Sequence, residues 1–218
     1  MKTYNFSKHN SIYNHYLSEL RDEKIQKDSM RFRRNLERLG EISAYEISKT
    51  LDYSERKIKT SLGTSTTDLI NDKIVLATIL RAGLPLHNGL LNFFDRSENC
   101  FISAYRKHNS KKNFSIEIEY LSSPDLNGKT VILSDPMLAT GNSMVLAYEA
   151  LLNRGIPNKI HIVSIVSSKV GYELLKKKFP KNTDFWVGSI DMKLNDDFYI
   201  VPGLGDAGDL AFGSKLNL

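Results

Sequence analysis

The chain has 218 residues, 41% of them hydrophobic and 25% charged, a globular balance that argues against disorder, a repeat array or a disulfide mini-protein. Thirty Lys and Arg against 25 Asp and Glu leave a formal charge of +5, which suits anionic ligands but is also common in proteins that bind none. The lone Cys100 excludes an intramolecular disulfide and a cysteine-based zinc site, no apolar run approaches the roughly 20 residues of a membrane span, and Met1 to Leu20 lacks a basic-then-apolar signal pattern. A soluble protein of the reducing cytoplasm is expected, with no membrane partner.

No linker long enough to divide the chain is evident, so one domain over 1–218 is expected, opening with an N-terminal helical extension over 1–50. Phe32, Leu36, Leu39, Ile42, Tyr45 and Ile47 recur at helical spacing among Arg and Glu, which predicts a long amphipathic helix from Ser29 to about Leu51. Its broad apolar stripe lies outside the rest of the pattern and suggests a dimer interface. Three short β-branched apolar runs follow, Lys73 to Leu80, Thr130 to Ser134 and Lys159 to Val166, each read as a buried strand. Helical patterns come after them at Leu86 to Phe94, Asn142 to Arg154 and Gly171 to Phe179. Strand-helix alternation of this kind predicts an α/β fold with a mainly parallel sheet flanked by helices. Between the first and second strands, a basic turn at Lys107 to Asn113 and alternating Phe114, Ile116, Ile118 and Tyr120 predict a β-hairpin arm or flap over 106–122.

In open α/β sheets ligands bind beyond the carboxyl ends of the strands, which directs attention to the loops after Leu80, Ser134 and Val166. The second is the most informative. A buried strand ends in Asp135 and runs through Pro136, Met137, Leu138, Ala139, Thr140, Gly141, Asn142 and Ser143 into a helix. Small residues let backbone N–H groups approach an anion at the positive end of that helix, with two hydroxyl donors beside them. Asp135 would repel a phosphate but accept hydrogen bonds from ribose hydroxyls, so a sugar phosphate fits. A capped turn with no ligand also fits these residues. The Gly-Lys-Ser/Thr of a triphosphate loop and the spaced glycines of a dinucleotide fold are missing.

This stretch, Ser134-Asp-Pro-Met-Leu-Ala-Thr-Gly-Asn-Ser143, resembles the phosphoribosyl pyrophosphate (PRPP) motif of phosphoribosyltransferases, in the form with Pro after Asp that is typical of uracil phosphoribosyltransferases. Ile79-Leu-Arg81-Ala-Gly83-Leu resembles that family's pyrophosphate loop, and Tyr199-Ile-Val-Pro-Gly-Leu-Gly205-Asp206-Ala-Gly-Asp209 its uracil-binding segment within 195–215. Arg21-Asp22, Ala44-Tyr45-Glu46 and Tyr105-Arg106 also match, so the resemblance covers residues 21–215. It implies a glycosyltransferase making UMP and diphosphate from uracil and PRPP in pyrimidine salvage, with Mg²⁺, as a homodimer or higher homo-oligomer. GTP is a candidate effector on the same ground.

Residue by residue, the resemblance assigns Arg81, Arg106, Asp206 and Asp135 to Ser143 to PRPP, and Ile200, Gly205, Asp206 and Ala207 to uracil. Arg81, Arg106, Asp135 and Asp206 would be the catalytic set. No metal ligand is assigned directly; Mg²⁺ would be held through PRPP and water near Asp206. These residue types suit an oxocarbenium-like transition state, where charge stabilisation and positioning matter more than a nucleophile. Gly203, Gly205 and Gly208 would bend the chain around the base and Pro202 would stiffen it. Asp206 would either take the uracil proton or orient Mg²⁺ and water. Asn142 stands where the family has Gly, and Asn tolerates positive φ. Leu210 and Ser214 replace a common Arg and Thr, and Lys107 to Lys112 is more basic than in the family.

Simpler readings attach to other residues. Asp209 is read as a turn cap, Lys176, Lys177, Lys178 and Lys181 as a solvated face, His87 and His161 as packing groups, and Cys100 as a small hydrophobe at a strand edge. Two competing functions are a non-catalytic sensor of PRPP and uracil that binds RNA through its basic surface, and a transferase for another base. Intact Asp135, Arg81 and Arg106 argue against the first, and the Ile200 to Ala207 match against the second. No stable nucleic-acid partner is expected.

Overall fold

The structure, a computed structural model, describes the backbone of residues 1–110 and 113–215, and their side chains except over 104–117. Its centre is a sheet covered on both faces, as the unbroken apolar strand sequences require. β1 (Lys2–Asn5) lies at one edge beside β10 (Asp184–Asp191), then come β9 (Lys159–Ser168), β7 (Thr130–Ser134), β4 (Ile74–Leu80) and β5 (Glu98–Ser110), all parallel. β6 (Asn113–Ser122) closes the other edge antiparallel to β5, and the short β8 (Met137–Leu138) pairs with the end of β9. The three strands read from the sequence are β4, β7 and β9. The arm expected over 106–122 is the outer part of the β5–β6 pair; its turn residues 111–112 and the side chains of Tyr105 and Arg106 lie outside the described residues.

Alternation along the strands sorts side chains to two cores. Leu76, Ile132, Val163 and Trp186 face a layer made by α1 (Ile12–Arg21), α2 (Ser29–Ser48), α3 (Leu84–Phe93) and the short α6 (Ala207–Phe212). Their neighbours Val75, Ala77, Val131, Leu133, Ile162, Phe185 and Val187 face α4 (Asn142–Leu152) and α5 (Lys169–Lys178). Helices on both faces of a mainly parallel sheet are the expected α/β architecture. Cys100 is a buried thiol on β5 opposite Ala77 in β4, inside the sheet rather than at a strand edge.

Three findings depart from the sequence reading. The N-terminal extension is α-helical only from Ile12; before that, β1 adds to the sheet, a single 3-10 turn follows at Phe6–Lys8, and Tyr4 stacks on Trp186 at 3.8 Å between ring centroids. The apolar stripe of α2 is largely covered within the chain, although Tyr45 stays exposed. Phe32, Leu36, Leu39, Ala44 and Ile47 are buried within the chain against α1, α3 and α6. Finally, residues between α2 and β4 form a hairpin, β2 (Tyr53–Lys59) with β3 (Thr64–Ile70), that is exposed along nearly its whole length. A smaller hairpin, β11 (Lys193–Leu194) with β12 (Ile200–Val201), carries the chain to α6.

Candidate active site

The C-terminal ends of β4, β7, β9 and β10 lie along one edge of the sheet, and the three motif segments converge there. Asp135 follows β7, with its N–H bonded to the Val163 carbonyl of β9 at 3.1 Å. The Pro136 carbonyl accepts from Ile165 and Val166 at 3.1 and 2.9 Å, and Met137 and Leu138 pair with Val166 and Ser167. The first half of the motif is thus zipped onto β9 and held like a strand. The second half turns through Thr140, whose hydroxyl accepts from Asn142 N–H at 3.4 Å, to Gly141 at φ +86°. Gly141 is the N-cap of α4, and a left-handed backbone at that position favours glycine. Asn142 begins the helix itself, with no positive φ, so replacing the family's Gly there does not distort the turn. Ser143 follows in the first turn of α4, beside the N–H groups that have no partner within the helix.

The opposite wall comes from α5. The hydroxyl of Ser168 donates to the Ala139 carbonyl and accepts from Gly171 N–H, so one side chain joins the Asp135 to Ser143 loop to the start of that helix. A Cβ on Gly171 would lie 2.6 Å from the Ala139 carbonyl and 2.9 Å from that of Leu138. Sequence inspection assigned no role to Ser168 or Gly171.

The carboxyl of Asp135 is shifted far from its ordinary range. Burial at the strand tip pushes it up to about 7, the Met137 N–H works in the other direction, and the negative charge of Asp206 adds to the rise. Asp206 lies in the third segment, where it caps α6 by accepting from Asp209 N–H at 3.0 Å; its second oxygen is 3.6 Å from Lys215 Nζ. Asp206 therefore takes the capping role that the sequence reading gave to Asp209. Asp209 instead pairs with Arg81, whose Nη2 donates to its Oδ1 at 3.1 Å and to the Gly213 carbonyl at 3.3 Å. The loop after β4 and the C-terminal segment are thereby joined. Arg106 belongs to the side chains outside the described residues.

The segment expected to bind the base is a tight turn on a buried footing. Ile200, Leu204 and Ala207 are buried, while Gly203 and Gly205 adopt φ +58° and +94°. Gly208 does not bend the chain; it lies in α6, where a Cβ would sit 3.2 Å from Asp206 Oδ1. Two acids, an arginine and a helix N-terminus around a turn of backbone donors and acceptors can hold a sugar phosphate and read an uncharged base. The hard oxygen of Asp206 near Asp135 suits Mg²⁺ held indirectly, through substrate oxygens and water.

The family model for uracil phosphoribosyltransferase matches residues 7–214. The chain belongs to the uracil phosphoribosyltransferase family. It is 52% identical over 216 residues to a uracil phosphoribosyltransferase of Porphyromonas gingivalis, covering 99% of this chain and 100% of that one. A uracil phosphoribosyltransferase of Pyrococcus furiosus is 38% identical over 205 residues, 93% of this chain and 86% of the other. Among solved structures, a protein from Aquifex aeolicus superposes with a TM-score of 0.87 at 29% identity, covering 99% of this chain and 100% of that chain. The protein is accordingly an enzyme, a glycosyltransferase of the phosphoribosyl-transferring kind.

Proposed function

We propose that the chain acts as a single catalytic domain that transfers the 5-phosphoribosyl group of PRPP to N1 of uracil, releasing diphosphate and giving UMP for pyrimidine salvage. The observation that carries this reading is the convergence of Asp135, Arg81 and the Ile200 to Ala207 turn on one sheet edge, in a chain of this family. In this reading Thr140, Gly141, Asn142 and Ser143 hold the 5′-phosphate, with Pro136 to Ala139 fixing the loop and Asp135 accepting from the ribose hydroxyls. Arg81 and Arg106 hold the diphosphate and take up its charge as the C1′–O bond breaks, for which a guanidinium fork suits better than an amine. Ile200, Gly205 and Ala207 present backbone groups to uracil, and cytosine, with an amino group where uracil has an oxygen, would set donor against donor. Mg²⁺, held through PRPP and water near Asp206, would neutralise phosphate charge.

Asp206 orients rather than abstracts in this scheme, since one of its oxygens already caps α6. Turnover of Asp206→Asn within a few-fold of the parent would leave no place for a general base there. The assay that tests the whole reading is UMP formation from uracil, PRPP and Mg²⁺, with Asp135→Ala as control and cytosine as competitor. Product lost in the variant and absent with cytosine is the expected result. Salt-dependent RNA retention without turnover would favour the sensor instead, and turnover with another base would reassign the substrate.

The enzyme is also proposed to work in the cytoplasm as a homo-oligomer, with GTP as a candidate effector. A buried free thiol supports the reducing compartment, and no described helix is long and apolar enough to cross a membrane. The β2–β3 hairpin supports association, because an isolated two-stranded hairpin is marginal in water and this one exposes Ile58, Leu62 and Leu69. A second copy would cover them.

A further inference from the structure

The turn proposed to read the base is held by a charged pair, Arg21 of the matching Arg21-Asp22 segment and Asp191, to which no motif gives a role. Gly203 sits between Ile200 and Gly205, and both of its backbone polar groups are engaged. Its N–H donates to Asp191 Oδ2 at 2.9 Å, and its carbonyl accepts from Arg21 Nη1 at 2.9 Å. Arg21 and Asp191 also bind each other through two bonds of 2.8 Å, and Ser189 Oγ donates to Asp191 Oδ1 at 3.0 Å. Asp191 is thus bonded on both oxygens. It ends β10, Arg21 ends α1, and the turn follows β12, so three separate elements meet at one peptide. Gly203 is at φ +58°, and a Cβ would lie 2.0 Å from the Ile200 carbonyl.

We propose that Asp191 and Arg21 are positioning residues for uracil, a bidentate pair that fixes the Gly203 peptide and thereby sets the direction of the backbone groups that read the base. The pair stands behind the turn and acts through it. Two parallel N–H···O bonds define a plane as well as a distance, which is what orientation of a peptide requires. A largely buried ion pair such as this one, with Arg21 partly exposed, is weak evidence for stability as such, since apolar replacements often do as well, and fixing one geometry among several is its better-attested use. The inference rests on the proposed transfer to uracil and deepens it by naming what makes the base site selective.

The test is steady-state kinetics on Asp191→Asn, Arg21→Lys and the double variant, with KM measured separately for uracil and PRPP, together with thermal unfolding. Asn keeps an acceptor for the Gly203 N–H but loses the charge that holds the guanidinium. Asp191→Asn is expected to raise KM for uracil about tenfold, equivalent to one hydrogen bond to a charged group. KM for PRPP should stay within twofold, and preference for uracil over cytosine should fall. The double variant should be no worse than the poorer single variant, because the two residues act as one unit. Parallel rises in both KM values that follow the loss of melting temperature would overturn the proposal, as would an unchanged KM for uracil. Should Asp191→Asn fail to fold, Ser189→Ala removes one bond to the same carboxylate, and a KM shift confined to uracil is again expected. A parent enzyme that forms no UMP would instead refute the transfer reaction itself.

Discussion

The α-carbon of Gly171 faces the carbonyl of Ala139 so closely that a methyl group on it would lie 2.6 Å from that oxygen. Gly171 touches no proposed substrate group, yet it determines how near α5 comes to the Asp135 to Ser143 loop. From the other side, a Cβ on Gly141 would meet the Gly171 carbonyl at 3.1 Å. The loop is therefore shaped by backbone-to-backbone contact as well as by its own sequence.

Gly171→Ala should push Leu138 and Ala139 outward and break the Ser168 bridge. KM for PRPP is expected to rise at least several-fold while KM for uracil changes little, with stability lowered by about 1–3 kcal/mol, the range for overpacking. Equal KM values in variant and parent would show that the loop is not set from α5.

Asp135 leads to a pH prediction for activity. Its free-enzyme carboxyl ionises near 7 because burial and Asp206 oppose the charge, and in the proposed transfer the ionised form, with both oxygens free to accept, is the one that holds the ribose hydroxyls. The kcat/KM for PRPP should fall about tenfold per unit below pH 7 and level off above it, since this parameter reports the free enzyme. Asp135→Asn should lose about a hundredfold in kcat/KM at pH 8 and no longer have an acid limb near 7. An acid limb left in that variant would assign the ionisation to another group.

Much of this was legible in the sequence where local chemistry and fold coincide. β4, β7 and β9 announced themselves as short apolar runs, and the loop from Asp135 to Ser143 combined a strand end, small residues and a helix start within nine positions. What escaped was long-range. Asp191 looks like any acid after a strand until Arg21, 170 positions away, closes on it. The small size of Gly171 has meaning only opposite Ala139. The β2–β3 hairpin was overlooked because its strands carry charge and Thr instead of a buried face. Its signals were local but faint: β-branched Thr64, Thr66 and Thr67 after the Leu62-Gly63 turn. The α2 stripe misled for the opposite reason, since periodicity reveals an apolar face without saying which surface covers it.

The hairpin gives a third prediction. Ile58 pairs with Ser65 and Leu69 with Ser54, which places both apolar side chains on one face. Ile58→Lys combined with Leu69→Lys should leave the chain folded, because neither residue contributes to the two cores. Light scattering at micromolar concentration is expected to show a parent mass of two chains or more and a variant mass closer to one. A monomeric parent would remove the case for association.

Acid stability supplies the last prediction. His161 is fully buried in β9 and accepts a hydrogen bond from Trp186 Nε1 at 3.1 Å. Burial, assisted by Lys159 and opposed by Asp184 and Asp72, lowers its ionisation to about 4 from an ordinary 6.5. Between those values the unfolded chain binds more protons than the folded one. Stability is therefore complete above pH 6.5 and declines as the pH falls towards 4, by about 3 kcal/mol in all. Asp135 acts in the opposite sense over much of the same window, since its raised value makes the folded state the better proton binder between about 4 and 7. The two slopes partly cancel in the parent. In an Asp135→Asn background the opposing slope is removed, and denaturant midpoints should fall steadily from pH 6.5 to 4.5, with buried His87, whose ionisation is also lowered by burial, adding to the decline from His161. Adding His161→Asn, whose side-chain oxygen can still accept from Trp186, should flatten that decline. A decline of the same size in the double variant would exclude His161 as its source.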